Sequence, residues 1–370
     1  MLALQGIYDG MAMNMIDKTK RSDCGEVSLY AKGYRLNPVL QNSIKDATQI
    51  KASIARRTDV EAVVARFSVE GLSATAHKSA FSNIIGIDLD DEIAFGSFEK
   101  FIVAGEMVLG RRGAVIGSEL AKTLKVGVGA KVIFSTQDSS GEINAMAVRI
   151  RGIVRTSNIT LDRSALYVTN KRLHTFLGVA PSEATQIAVR TQSQHLQEEL
   201  QRRYPQLDVK RLLELYPMLK QMQEIMVIFN SITFSIVMLV VFIGIFGVMY
   251  VSILERIREF GIMRAVGMSY RYIRTQVIFE ALFVGVVGYV SGALLGLLGL
   301  LYLHHFGLDL SAWAEGMESF GYDAIIYAQI KPAYFVSTFL AIISASLLSV
   351  VLPLRKIKRL NPIDVIKAET

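Results

Sequence analysis

The stretch IMVIFNSITFSIVMLVVFIGIFGVMYVSIL, residues 225–254, runs for thirty positions without a charged side chain. A helix of about 20 apolar residues crosses the hydrocarbon core of a bilayer, so this segment predicts a membrane span. Two more uncharged runs, residues 281–303 and 332–354, are 23 residues each and rich in Leu, Val, Ile and Phe, and they predict two more spans. Around them lies a chain of 370 residues with 40 Lys plus Arg, 33 Asp plus Glu and a mean hydropathy of +0.36. Residues 225–370 hold only 11 basic and 9 acidic side chains, against 29 and 24 in residues 1–224, so the apolar excess sits in the C-terminal part. This composition excludes a disordered chain. The single cysteine, Cys24, allows neither an intramolecular disulfide nor a multi-cysteine metal site.

Orientation follows from the flanks, because short loops rich in Lys and Arg stay in the cytoplasm. Residues 255–274 carry Arg256, Arg258, Arg264, Arg271 and Arg274, and the tail 355–370 carries Arg355, Lys356, Lys358, Arg359 and Lys367. Residues 304–331 hold one lysine against Asp309, Glu315, Glu318 and Asp323. The first connection and the tail are therefore expected inside, and the 304–331 loop and the segment before residue 225 outside. Residues 1–16, which include Asp9 and lack a basic leader, suit neither a signal peptide nor a full span. They are expected to be the outer end of a first transmembrane helix whose beginning is missing, with a genuine three-span chain as the alternative.

Residues 17–224 alternate strand-like and helical patterns. Residues 26–30, 60–67, 131–135 and 145–154 predict strands, residues 40–57, 118–124 and 196–204 predict helices, and residues 138–142 predict a hairpin turn. The expected architecture is an α+β membrane protein: a helical bundle of three complete spans plus a truncated first one, carrying a large extracytoplasmic α+β domain in one or two lobes. No catalytic constellation accompanies it. Gly127-Val128-Gly129 lacks the phosphate-loop spacing, and His77, His174 and His195 stand without neighbouring ligands. Ser118 lacks the elbow of a nucleophilic serine and reads as an exposed helix cap. Basic residues are interleaved with acids rather than clustered with aromatics, which argues against nucleic acid. No metal and no cofactor is expected on this chain.

Residues 255–267, ERIREFGIMRAVG, predict a short amphipathic helix at the inner face within a connection spanning 255–274. Glu255 and Arg258 are spaced to pair, Ile257 and Phe260 offer an apolar face, and Gly261 and Gly267 permit close approach or a bend. On the residues alone, docking on a partner and lying on anionic lipid are equally served. In residues 275–303, Gly288, Gly292 and Gly296 share one helix face. In 332–354, Ala341, Ala345 and Ser349 form a similar small face, and either face suits close helix packing. Glu280, near the inner interface, needs water or an arginine such as Arg274.

The string E-R-x-R-E-F-G-I-x-R-A-V-G resembles the cytoplasmic connection of ABC transporter permeases of the MacB and FtsX superfamily. Glu280, the glycines at 288, 292 and 296, Pro353-Leu354-Arg355 and Leu360-Asn361-Pro362-Ile363-Asp364 extend the likeness. Upstream, Gly25-Glu26-Val27 through Gly33-Tyr34, residues 114–121 and residues 148–154 resemble that family's MacB-like periplasmic core domain. The Gly25 to Tyr34 pattern looks nearest the lipoprotein-releasing LolC and LolE branch, although Glu26 replaces a histidine common there.

The resemblance implies four spans per subunit, two permease subunits in a homodimer or heterodimer, and two copies of a separate ABC ATPase that binds the ATP. It assigns Glu255, Arg256, Arg258, Glu259, Gly261, Arg264 and Gly267 to the ATPase contact and leaves no catalytic residue here. The implied function is that of a multi-pass bacterial inner-membrane permease. ATP hydrolysis inside would move the outer domain, a mechanotransmission that extracts or exports an amphipathic substrate such as a lipoprotein. A periplasmic adaptor or lipoprotein chaperone and membrane lipid are further partners. The alternative is a non-transporting FtsX-like transducer that activates a cell-wall hydrolase.

Overall fold

The structure, a computed structural model, describes all residues except Arg111, Ser157, 314–324 and 359–370. In chain order its elements begin with helix α1 (Leu2–Thr19), strand β1 (Val27–Ala31), α2 (Ala47–Ala55), β2 (Val60–Ala74), β3 (Ser79–Ile87) and α3 (Leu89–Gly96). They continue through β4 (Ile102–Gly105), β5 (Gly113–Gly117), α4 (Ser118–Leu124), β6 (Lys131–Gln137), β7 (Ile143–Val154), α5 (Ile159–Ser164), β8 (Ala165–Thr169) and α6 (Asn170–Leu177). Next come β9 (Gln186–Thr191), α7 (Leu196–Arg203), β10 (Leu207–Arg211) and the single turn α8 (Leu212–Leu215). The apolar part holds α9 (Pro217–Glu255), α10 (Ile257–Ala265), α11 (Tyr270–Phe306), the short strands β11 (Leu308–Asp309) and β12 (Ile325–Ile326), α12 (Pro332–Ser349) and α13 (Val351–Lys358). Two compact units result, one built on Met13–Gln221 and the other on Met1–Ala12, Met222–Ser311 and the chain from Ile325.

In the first unit the strands run in the order β10-β1-β9-β2-β3-β8-β5-β7-β4, with β6 bridging β2 and β7. The β3–β8 and β5–β7 pairs are parallel and the others antiparallel. Strand β2 is long because it serves two lobes: Val60 through Arg66 pair with β9, and Phe67 through Ala74 pair with β3. One lobe buries Leu29, Ile54, Ile187, Val189 and Leu196. The other buries Phe67, Ile116, Leu120, Phe134 and Leu166. Of the region 40–57 only Ala47–Ala55 is α-helix, preceded by a 3-10 turn at Leu40–Asn42. Ser118 is not an exposed cap: it is buried, Gly117 holds the N-cap position, and no side chain caps this helix. His174 is buried with its ring nitrogens 2.8 and 2.9 Å from the carbonyls of Asn170 and Glu183, a structural role.

At the point where β2 passes between lobes, Arg66 is 4% exposed. Its Nε and Nη2 donate to the Glu92 carboxylate at 2.5 and 2.6 Å, its Nη1 donates to the Asp23 carbonyl, and its guanidinium lies over the Phe95 ring. The Asp23 carboxylate accepts in turn from the Tyr216 hydroxyl. A buried charge survives only when paired and fully hydrogen-bonded, and this cluster meets that condition.

Among the described residues the second unit contains three helical segments long and apolar enough to cross a membrane: Pro217–Glu255, Tyr270–Phe306 and Pro332–Arg355. At 1.5 Å per residue α9, with 39 residues, is about 58 Å long, so it overruns the roughly 30 Å hydrocarbon core. Helices α11 and α12 touch where Gly285 leaves room for Ser346; a Cβ on Gly285 would overlap that hydroxyl. The Tyr289 hydroxyl donates to the Phe335 carbonyl at 3.1 Å on the same interface. Within this unit the start of α1 lies against the segment before α12. Gly6 and Gly10 bring its backbone onto Gln329 and Tyr327, and the Gln329 N–H donates to the Gly6 carbonyl at 2.8 Å. Asp9 accepts from Lys331 Nζ and the Tyr334 hydroxyl, both at 2.5 Å, so its charge is matched.

Two outcomes follow from the outer unit. Arg66→Met leaves the buried Glu92 uncompensated and lowers stability by roughly 3–5 kcal/mol in denaturant titrations of the purified chain, and adding Glu92→Gln recovers much of the loss. Burial pushes the Asp162 carboxyl up to about 6, opposed by its hydrogen bonds from the Thr156 N–H and hydroxyl. Because this folded value exceeds the unfolded one, the stabilisation is complete below about pH 4 and fades as pH rises through 6, a change of roughly 2–3 kcal/mol. Asp162→Asn should flatten that part of the stability profile.

Candidate functional site

The short helix α10 sits where the inner ends of the apolar helices converge. Phe260 is fully buried among Met249 and Ile253 of α9, Ile273, Val277 and Ala281 of α11, Val350, and Leu354 and Ile357 of α13. The expected outward apolar face of Ile257 and Phe260 is thus corrected: Phe260 points inward, since a phenyl ring buries more apolar area there than any alternative on this helix. Gly261 is buried beside it. The connection 255–274 is also shorter as a helix than its sequence pattern suggested. It spans Ile257–Ala265, turns at Gly267 with φ of +95°, and α11 starts at Tyr270, so Arg271 and Arg274 belong to a spanning helix. A left-handed φ costs an L-residue about 1–2 kcal/mol, which is why glycine stands there.

Arg256 organises the polar side. Its Nε donates to Glu259 at 3.0 Å, its Nη1 reaches Glu280 on α11 at 3.4 Å, and its guanidinium lies 5.4 Å over the Phe260 ring. Glu280 therefore finds its arginine at Arg256, the residue just before α10, rather than at Arg274. Arg264 Nη1 donates to the Ile357 carbonyl at 3.4 Å, and the Tyr270 hydroxyl to the Leu354 carbonyl at 3.1 Å, which ties α10 and α11 to α13.

Outward, α10 presents a surface that the sequence pattern had not singled out. Arg258, Ile262 and Val266 lie four apart, with Ile262 48% and Val266 84% exposed, and Met268 follows in the turn. Glu255 and Glu259 border them, both exposed, as is Arg258. The i, i+4 spacing of Arg258, Ile262 and Val266 was the available signal; the aromatic Phe260 outweighed it.

The helix-packing expectation divides. Gly296 faces the Leu2 side chain, whereas a Cβ at Gly288 or Gly292 would meet nothing within 4 Å. Gly285, one turn earlier, makes the close contact instead, because the buried stripe on α11 runs through Ile273, Val277, Ala281 and Gly285. On α12, Ala345 and Ser349 are buried and Ala341 half-buried, with the buried Ser346 at the Gly285 contact. The motif at 360–364 lies outside the described residues. Among the described residues no group of three or more His, Cys, Asp or Glu side chains could hold a metal ion.

If Arg256 holds α10 against α11, Glu280→Ala and Arg256→Ala should each raise hydrogen exchange across Ile257–Ala265 about tenfold or more, while Arg274→Ala leaves it unchanged.

Comparison with known proteins matches residues 1–207 to the MacB-like periplasmic core domain and residues 231–362 to the FtsX-like permease C-terminal domain. Among curated proteins, the macrolide export ATP-binding/permease protein MacB of Wolinella succinogenes is 30% identical over 161 residues, 44% of this chain and 22% of that protein. The Escherichia coli MacB is 31% identical over 148 residues, 38% of this chain and 21% of its own length. The ABC transporter permease YtrF of Bacillus subtilis is 26% identical over 127 residues, covering 34% and 29%. The aligned region is thus about a fifth of the length of the MacB relatives. The periplasmic region of MacB from Actinobacillus actinomycetemcomitans aligns with 56% of this chain and 98% of its own, at 14% identity and a TM-score of 0.37.

Proposed function

This chain belongs to the MacB and FtsX superfamily of ABC permeases, and from that premise we propose that it couples ATP hydrolysis on a partner to motion of its extracytoplasmic domain. The observation that carries this reading is the inner-end knot: one short helix exposes a mixed charged and apolar face while its Phe260 is wedged among all the segments converging there. A push on Ile262, Val266 and Arg258 is therefore felt directly by α9, α11 and α13. Interfaces couple in this way because packed cores have discrete arrangements rather than deforming smoothly.

The partner that fits the face is an ABC ATPase subunit, two copies serving two permease chains. Contact residues are proposed at Glu255, Arg258, Glu259, Ile262 and Val266, while Arg256, Gly261, Arg264 and Gly267 shape the helix that presents them. The relatives' names join ATP-binding and permease in one protein. We propose that the ATP is held by a separate ATPase chain; residues 1–370 themselves carry no phosphate-loop spacing. The substrate is proposed to be amphipathic, a lipoprotein being the class suggested by the Gly25 to Tyr34 pattern, and the setting a bacterial inner membrane.

The test is affinity purification from the native locus, with intact-mass spectrometry of the subunit and of what accompanies it. A stoichiometric ATPase chain is expected, and its recovery should fall at least fivefold with Ile262→Asp plus Val266→Asp while the permease stays in the membrane. Recovery of the permease without any ATPase, fused or separate, would end the coupling reading.

A further inference from the structure

The outer unit contains a cleft of about 720 Å³ lined by Val108, Gly110, Arg112, Gly113, Arg151 and Arg172. Three arginines line one space, and among the described residues none of them has an ion-pair partner. The Glu106 backbone N–H donates to the Arg151 carbonyl at 3.0 Å, but its side chain pairs with none of the three. Arg172, near the start of α6, has its Nη2 fixed on the Ala147 carbonyl of β7 at 2.7 Å. Its Nη1 is buried with no hydrogen-bond partner. Burial, then the charge of Arg112, holds this guanidinium below its ordinary range. The loop is fixed as well: the Arg149 N–H donates to the Arg112 carbonyl at 2.9 Å, and Gly113 packs against the carbonyls of Val108 and Leu109 where a Cβ would collide.

A partly buried guanidinium with an orphan donor beside the like charge of Arg112 is costly. We infer that this cleft is a binding site for a phosphoryl anion, carried either by a lipid headgroup or by a soluble phosphate ester. A phosphoryl group is favoured over a carboxylate because three guanidiniums, with about five N–H donors each, exceed what two carboxylate oxygens accept. A concave site with a buried donor fits a compact anion rather than the flat face of an acidic protein. The site lies apart from α10 in the sequence and the inference is independent of the ATPase coupling.

The test uses the full chain in detergent at about 150 mM salt, with binding followed by calorimetry. Probes are inorganic phosphate, glycerol 3-phosphate, dihexanoyl phosphatidate and an oligoglutamate peptide. Arg112→Ala plus Arg151→Ala alters only exposed positions, and Arg172→Lys keeps the charge but loses the fork. Saturable binding of the phosphate probes, weakened at least tenfold in both variants, is expected. Phosphatidate binding tenfold or more tighter than glycerol 3-phosphate assigns the lipid headgroup; equal binding assigns a soluble ester. No saturable phosphate binding, equal binding by wild type and variants, or binding of oligoglutamate alone would overturn the inference.

Discussion

The outer unit depends on one strand doing two jobs. Strand β2 leaves one sheet partner at Arg66 and takes up another at Phe67, so both lobes hang on a single backbone register. A one-residue slip would send every side chain of β2 to the opposite face and empty both cores at once. Arg66 guards that point with the Glu92 and Asp23 contacts. An apolar residue there would pack, but it would not distinguish this register from its neighbours. We read the buried ion cluster as a device for position more than for stability, because desolvation of both charges offsets much of their attraction.

Much of the fold class was legible in the sequence and much of the contact geometry was not. Uncharged runs of 23 to 30 residues admit few readings, and a short helix such as Ser118–Leu124 or the hairpin turn at Asp138 is set by local chemistry. Contacts between distant residues left no comparable trace. Asp9 looked like a flaw in a short apolar stretch because its partners, Lys331 and Tyr334, lie more than three hundred positions away. The arginines at 112, 151 and 172 looked like ordinary surface charges interleaved with acids, and only the folding of β7 against the 106–113 loop and α6 puts them in one cleft.

Glycine shows the same limit. A stripe at 288, 292 and 296 is conspicuous in one dimension, yet the contact that α11 makes with α12 uses Gly285, whose partner is a serine. Which glycine is used depends on helix rotation, and rotation is set by the largest buried side chains: Ile273 and Val277, with Ala281, turn Gly285 inward. Likewise Gly6 and Gly10 on α1 are spaced for close approach, and they meet backbone carbonyls of Gln329 and Tyr327 in a loop, with the Leu300 side chain of α11 also against Gly6.

The inner-end helix illustrates how weak local propensity becomes a firm element. Nine residues are too few to hold a helix in water, since isolated helices below about 12–15 residues are marginal. What fixes α10 is therefore tertiary: burial of Phe260, at roughly 1.5–3 kcal/mol, and the clamp of Arg256 on Glu280. Both anchors lie on elements that cross the membrane. The helix consequently has no stable position of its own and takes whatever position the spans impose. By reciprocity, a partner that holds its outer face in a different place must move the spans, provided that the partner binds the two positions with different affinity. The exposed Ile262 and Val266 give such a partner apolar area to bury, and Glu255, Arg258 and Glu259 give it charges that fix its register.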